Sequence, residues 1–402
     1  MMVRNTRKDM DESEKLKKPK RSARSRKEKE MKGKDISPKE IIEIKEEKIG
    51  IKTRPERAIK EIKEEPPQKK EIVEKIVAKG PFAGMPSMIW STYGKRGNFD
   101  LVVPLANGGM AHYWRDNDNE TLPWNGPEIF GREAGMIYGV SLIQSNFGEQ
   151  GNLELVAVDV GGKNLMHFWR DSGPSFDWHG PNKISKDTLV PLFSGSPVVV
   201  QSRPGQRGNF EVVVPKEEGG FSYYWRDNDD AELTWHGPVD FATDAGIFSA
   251  ATLIQSNFED HLEMAARSGD ELFFFWRGSD TEPEWHGKER IATGVTGTPS
   301  MIQSSDKGVG NFDLVTPLQS GGLGYYWRDN DDPHLHWYGP FMFAMNTGKV
   351  DAVSLIQSDF GESGNLELVA QIDNQLAFFW RDSGMDRRWN GPQYLLLGLE
   401  NV

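Results

Sequence analysis

From residue 81 onward, short apolar runs of strand length alternate with clusters of turn residues. The stretch SLIQSNFGEQGNLELVAV (141–158) holds two such runs around a Gly-containing turn, and LMHFWRD and FDWHGPNKI follow it. Runs of this length punctuated by Gly-Asn, Gly-Gly and Asp-Ser-Gly predict β-hairpins. Helical spacing of the apolar positions is missing. Some runs are apolar on both faces, as in LFFFWR (272–277) and YYWR (325–328). Such a strand must be covered on both sides, which suits a blade held between two others.

The pattern repeats. Trp-Arg pairs fall at Trp114, Trp169, Trp225, Trp276, Trp327 and Trp380, with spacings of 55, 56, 51, 51 and 53 residues. Each is followed by a Trp-x-Gly segment, at Trp124, Trp178, Trp235, Trp285, Trp337 and Trp389. The first-strand segment has counterparts beginning at Ser87, Pro197, Thr252, Ser300 and Ser354. The remaining tryptophan, Trp90, stands where the other units have Gln144, Gln201, Gln255, Gln303 and Gln357. Four strands in about 53 residues match a propeller blade, and self-similarity at this period marks an array. The expectation is an all-β, six-bladed β-propeller of four-stranded blades over 81–402. Its repeats run about 83–131, 137–186, 193–243, 248–293, 296–345 and 350–397. A β-solenoid is the rival architecture.

The units also alternate. The first, third and fifth carry Trp-Arg-Asp-Asn-Asp; the second and sixth carry Trp-Arg-Asp-Ser-Gly, and the fourth Trp-Arg-Gly-Ser. Asn-Phe-Gly or a close variant marks the first turn of even units only. Three two-blade modules are implied, and any copied site is expected in a pseudo-threefold arrangement.

Charge separates this body from what precedes it. Residues 1–80 hold 26 basic and 17 acidic residues, whereas 81–402 hold 22 and 43. The first aromatic residue is Phe82. A leader this polar cannot offset its ordering entropy by burial, so 1–80 is expected to be a disordered basic, Lys/Glu-rich tail. Its cluster from Lys15 to Lys29 is a candidate contact for an anionic polymer or nucleic acid, against a purely solubilising role. No run approaches the roughly 18–20 apolar residues of a membrane span, and the start lacks an apolar signal core. A cytoplasmic protein, or one released by a non-standard route, is the corresponding expectation. There is no cysteine.

The chemistry is carried by the repeated residues. Each unit has an acid in its second strand: Asp100, Glu154, Glu211, Glu263, Asp313 and Glu367. An acid opposite the arginine of the neighbouring strand forms a charge-assisted structural pair. The same residue types also make a sugar site, with a tryptophan face on the sugar ring and a guanidinium and carboxylate on its hydroxyls. Candidate ligand residues are Trp114, Arg115, Asp116, Trp124, Trp178, Trp225, Arg226, Asp227, Trp235, Trp327, Arg328, Asp329, Trp337 and Trp389. The residue after each Trp-x-Gly tryptophan varies among Asn125, His179, His236, His286, Tyr338 and Asn390, which reads as an exposed, tunable position. The acidic loops, first among them Asp116, Asp118 and Glu120, offer oxygens to Ca2+ but lack the glycine and distal glutamate of an EF-hand. Asn and Asp are equally ordinary turn residues. The eight histidines show no metal-ligand spacing, and no phosphate loop, nucleophile elbow or zinc motif occurs. Everything distinctive is present in multiples, which favours multivalent binding over catalysis.

Tandem Trp-rich repeats of about 50 residues, free of cysteine and filling a whole ring, resemble bacterial and fungal β-propeller lectins. The six-bladed fucose lectins and the tectonin-like lectins belong to that group. The resemblance implies sugars held between adjacent blades by an arginine, an acid and a tryptophan. For this chain it implies pockets using Arg115, Asp116 and a nearby Trp-x-Gly tryptophan. The fourth unit departs, with Gly278 for Asp and Lys288 for Pro. The function expected is non-enzymatic, multivalent binding of glycans or glycoconjugates. The alternatives are a protein-interaction scaffold with structural tryptophans and, after it, a polysaccharide-cleaving enzyme.

Overall fold

The computed structural model describes residues 81–185, 192–278, 284–305, 308–384 and 387–395. The expectations for the 1–80 tail lie outside the described residues. Twenty-four strands form six four-stranded antiparallel sheets, each built from consecutive strands in sequence order. In the first blade the strands are Ser87–Trp90, Phe99–Pro104, Met110–Arg115 and Trp124–Phe130, from inside to outside. The others occupy 137–183, 198–241, 250–293, 300–343 and 350–394. The protein is a six-bladed β-propeller. The only helical element among the described residues is one 3-10 turn, Arg132–Ala134.

The apolar runs on both faces are explained by where the core lies. Among the described residues the core is divided into six clusters, each straddling one junction between neighbouring blades. Leu101 and Tyr113 of the first blade, for example, pack with Val369 and Phe378 of the sixth. Both faces of every blade are therefore inside the protein, and burial of these faces drives ring formation.

A repeated hydroxyl joins the inner strands. The backbone N–H of Leu142 donates to Ser87 Oγ at 3.0 Å and that of Val199 to Ser141 Oγ at 3.1 Å. Met301 bonds Thr252 Oγ1 and Leu355 bonds Ser300 Oγ in the same way. Met88 N–H donates to Ser354 Oγ at 2.8 Å, which closes the ring between the first and last blades. The register places Val198, not Pro197, at this position in the third blade, opposite Val213 as Ser87 is opposite Val102. The hydroxyl is thus replaced by valine there.

The Trp-x-Gly segment is the start of each outer strand, where the pairing to the third strand shifts register. Gly126 sits at φ 106°, and a Cβ on it would lie 2.7 Å from the His112 carbonyl oxygen. The same clash, with the carbonyl two residues before each Trp-Arg tryptophan, recurs at the other five Trp-x-Gly glycines. Close strand approach at positive φ is what the invariant glycine of the repeat permits.

Candidate functional site

The Trp-Arg strand is antiparallel to the strand bearing the acid, and its register corrects one expectation. Asp100 lies opposite Trp114, and Arg115 lies opposite Phe99. The expected pairing of each arginine with the acid of its own blade does not form. The acid turns instead to the residue two before the tryptophan. Asp100 Oδ1 bonds His112 Nε2 at 2.8 Å and Glu154 Oε2 bonds His167 Nε2 at 2.8 Å. Tyr223 and Tyr325 donate their hydroxyls to Glu211 and Asp313. At that position the fourth and sixth blades have Phe274 and Phe378. The charge facing these acids comes from the following blade: Arg170 lines the same cavity as Asp100, Arg277 Nη2 is 3.5 Å from Glu211, and Arg115 attracts Glu367. The unit of chemistry is therefore the junction between blades.

The two kinds of repeat give two kinds of arginine. In odd blades Arg115, Arg226 and Arg328 are 6 %, 6 % and 3 % exposed. Their Nε groups donate to Asn117, Asn228 and Asn330 of the same motif at 2.7, 2.9 and 2.8 Å. Each guanidinium lies over a phenylalanine of its own blade (Phe99, Phe210, Phe312). Each also lies near one from the preceding blade (Phe360, Phe147, Phe258). That second phenylalanine is the one in the Asn-Phe turn of even units, so the turn exists to cover the next arginine. Burial pushes Arg115 down to about 10 against the opposing pull of Glu367. Even-blade arginines are less enclosed: Arg170 and Arg277 side chains are 12 % and 14 % exposed. Arg170 Nε donates to Glu128 at 3.3 Å, and Arg381 Nη1 to the Tyr325 hydroxyl at 3.4 Å.

The acidic motif residues are spent on turns. Asp116 Oδ1 accepts the Asp118 N–H, and Asp118 in turn accepts the N–H groups of Lys95 and Arg96 at 2.7 and 3.0 Å. Asp227 and Asp229 do the same in the third blade, and Asp329 with Asp331 in the fifth. Ser172 and Ser383 replace the clamping aspartate in even blades. Asp116 is thus not assembled with Arg115 into one pocket; each has its own structural partner. The calcium candidate Asp116, Asp118 and Glu120 is not gathered as a ligand set. Among the described residues no group of three His, Asp or Glu is placed to hold a metal ion.

The tryptophans divide likewise. Trp178, Trp285 and Trp389 stack face to face on Phe130, Phe241 and Phe343 of the preceding blade, at 3.9, 4.6 and 4.4 Å between centroids. Trp124, Trp235 and Trp337 instead set an edge against Phe378, His167 and Phe274. Trp114, Trp225 and Trp327 are half-buried. Tyr338 and His236, which follow outer-strand tryptophans, are exposed, whereas Asn125, His179, His286 and Asn390 are half-buried.

Open cavities lie at two of the junctions between described blades. The one between the first and second blades, about 320 Å³, is lined by Asp100, His112, Trp114, Arg170 and Phe176 among others. Asp100 Oδ2 is buried there and has no hydrogen-bond partner. Burial opposes the charged form of His112, but its bonds to Asp100 and Glu128 outweigh that and raise its pKa. Glu128, resisted by its own burial, is held below its usual range by His112 and Arg170. The cavity between the second and third blades, about 290 Å³, is lined by Glu154, His167, Trp169, Arg226 and Trp235 among others. The sequence pointed to Trp114, Arg226 and Trp235 but not to Arg170, Glu128 or Phe176. The signal for His112 was its spacing, two before the tryptophan and on the same strand face.

No protein-family model matches the sequence, and no curated protein matches it. Solved structures do. The fucose-specific lectin of Aleuria aurantia superposes with a TM-score of 0.57 at 14% identity, covering 79% of this chain and 97% of that one. AofleA from Arthrobotrys oligospora gives 0.58 at 11%, covering 80% and 88%. The NanB sialidase of Streptococcus pneumoniae gives 0.52 at 8%, covering 73% and 66%. At these identities the likeness is one of fold: the chain has the same ring architecture as these lectins.

Proposed function

We propose that the ring is a non-enzymatic, multivalent glycan-binding protein whose sugars are held at the junctions between blades. The observation that carries this reading is Asp100 Oδ2, a buried carboxylate oxygen without a donor, on a residue that lines a cavity together with Arg170 and Trp114. A buried acceptor of this kind costs stability unless something donates to it. A sugar hydroxyl supplies the donor, the guanidinium answers the hydroxyl oxygens, and the indole covers the C–H face of the ring. Related sets of acid, arginine and tryptophan recur around the ring, so several weak contacts combine through effective concentration. The ligand named for the Aleuria lectin puts fucosides first among the sugars to test.

A glycan array probed with the full chain, with and without chelator, tests the reading. Selective, chelator-insensitive binding is expected. A blank array would turn the interpretation to a protein-interaction scaffold. One observation favours that second reading. The outer strand Trp337–Phe343 carries no charge and exposes Phe341 and Met342 by 54% and 60%. An uncharged apolar edge strand is a ready contact for another chain.

A further inference from the structure

The six acids differ in how much of their hydrogen-bonding capacity is spent. Glu154 receives Ser145 Oγ at 3.0 Å on one oxygen and His167 on the other. Glu211 receives Ser202 Oγ at 2.7 Å on one and the Tyr223 hydroxyl on the other, and Arg277 closes on it directly. Both oxygens are thus already served at the 2–3 and 3–4 junctions. Asp100 differs by one methylene. Its Oδ1 meets His112, but no bond joins it to Ser91, the counterpart of Ser145, whose hydroxyl goes to the Asn98 carbonyl. Glu263 and Glu367 differ in the other partner. Ser256 and Ser358 reach their Oε1 atoms at 3.3 and 3.1 Å, but Phe274 and Phe378 have nothing to donate to Oε2. Arg328 and Arg115 of the following blades attract these two glutamates without an ion pair within 4.0 Å among the described residues. Arg328 Nη2 is itself buried without a partner.

We infer that the junctions are not equivalent: 1–2, 4–5 and 6–1 each offer a ligand hydroxyl an unspent carboxylate oxygen, whereas 2–3 and 3–4 do not. Two features set the difference, the length of the acid and the residue two before the Trp-Arg pair. At the 2–3 and 3–4 junctions the acid is a glutamate, long enough to reach the serine, and it faces a histidine or a tyrosine. Room is not the criterion, because the 2–3 cavity is nearly as large as the 1–2 cavity. The difference lies in acceptor count. A hydroxyl entering the 2–3 junction meets oxygens that each already hold a donor, so it adds a second bond and satisfies no bare acceptor, and its net gain is smaller. At the 4–5 and 6–1 junctions a polyol bridges an acid and an arginine that attract but do not touch. The ligand class is a neutral sugar presenting adjacent hydroxyls, and the ring takes it at a subset of its junctions.

This rests on the glycan reading, and calorimetry separates the two. The full chain is titrated with the methyl α-glycosides of L-fucose, D-mannose, D-galactose and D-glucose. The double variant Phe274→Tyr/Phe378→Tyr supplies the missing donors and is expected to lose two sites. Asp100→Glu, which extends the acid toward Ser91, is expected to lose one. Tyr223→Phe removes the hydroxyl donor from Glu211 Oε2, leaving Arg277 at 3.5 Å as its contact, and is expected to gain one. Affinity at untouched sites should change by less than about twofold, since distant sites act independently. Thermal melts identify any variant that fails to fold, and Tyr223→Phe keeps the test alive because it only removes a hydroxyl. A wild-type chain that binds all four glycosides to no extent overturns both readings. A wild-type chain that binds, with site number unchanged in folded variants, overturns the inequality of the junctions alone.

Discussion

Met88 N–H donates to Ser354 Oγ across the seam where the first blade meets the last. The two residues are 266 positions apart, yet the bond is the same one that joins consecutive blades elsewhere. Among the described residues no strand from one end of the chain completes a blade at the other; this hydroxyl, the Arg96–Asp359 ion pair and a shared apolar cluster join the two blades.

Ser354→Ala is therefore expected to weaken the ring at its only non-sequential junction. The Met88 N–H would be left buried without a partner, at a cost of about 1–3 kcal/mol. Urea denaturation gives the value. The loss should exceed that of an exposed serine substitution, which is normally within about 0.5 kcal/mol. An unchanged midpoint would assign closure to the ion pair and the apolar packing.

Arg226 and Arg170 predict opposite phenotypes. Arg226 is enclosed by Phe210, Phe147 and Asn228, so Arg226→Ala removes a buried charge and its packing and is expected to cost about 3 kcal/mol. Arg170 is more open and bonded to Glu128, so Arg170→Ala should cost stability about 1 kcal/mol or less and act on ligand binding instead. Paired melting and glycan titration of the two variants checks this.

The number of blades, their strands and the alternation of units were legible because they are properties of consecutive residues: a tryptophan every 51–56 positions and turn residues between apolar runs. The site was less legible because its members come from different blades. Asp100 and Arg170 meet across neighbouring blades, and Glu367 and Arg115 across the ring closure, not by any local spacing. The expectation that Arg115 would pair within its blade failed on register. The acid follows the position opposite the arginine by one residue, so its side chain emerges on the other face. Asp116, Asp227 and Asp329 have the composition of ligands and the geometry of turn clamps, which only coordinates separate. The phenylalanine of the even-unit turn was a readable clue to the buried odd-unit arginine, once both are known to meet at a junction.

Tryptophans of the same repeat should not respond alike. Trp178 stacks on Phe130 at an interplanar angle of 5°, so Trp178→Ala opens a cavity between two blades and is expected to cost about 3–5 kcal/mol. Trp114 is half-buried and lines the 1–2 cavity, so Trp114→Ala should leave the melt within about 1–2 kcal/mol while weakening sugar binding. Trp124→Ala, with its edge on Phe378, is expected to weaken binding at the 6–1 junction without unfolding the ring. Thermal melts alongside fluorescence titration distinguish these outcomes, and collapse of the Trp124 variant would make that residue a wedge like Trp178.

Stability should also depend on pH through Glu263 and Glu367. Burial pushes both carboxyls up to about 7, against the opposing pull of Arg328 and Arg115. In the unfolded chain they return to the ordinary range near 4.5. The folded state then holds more protons than the unfolded state between those values. The stability these two groups lend is full below the lower value and is lost as pH rises through about 7. The double variant Glu263→Gln/Glu367→Gln removes both titrations. Relative to wild type it should gain about 1–3 kcal/mol on going from about pH 5 to about pH 8, read from urea midpoints. A difference that stays flat across that range would mean the two glutamates ionise normally, already neutralised by the arginines of the next blade.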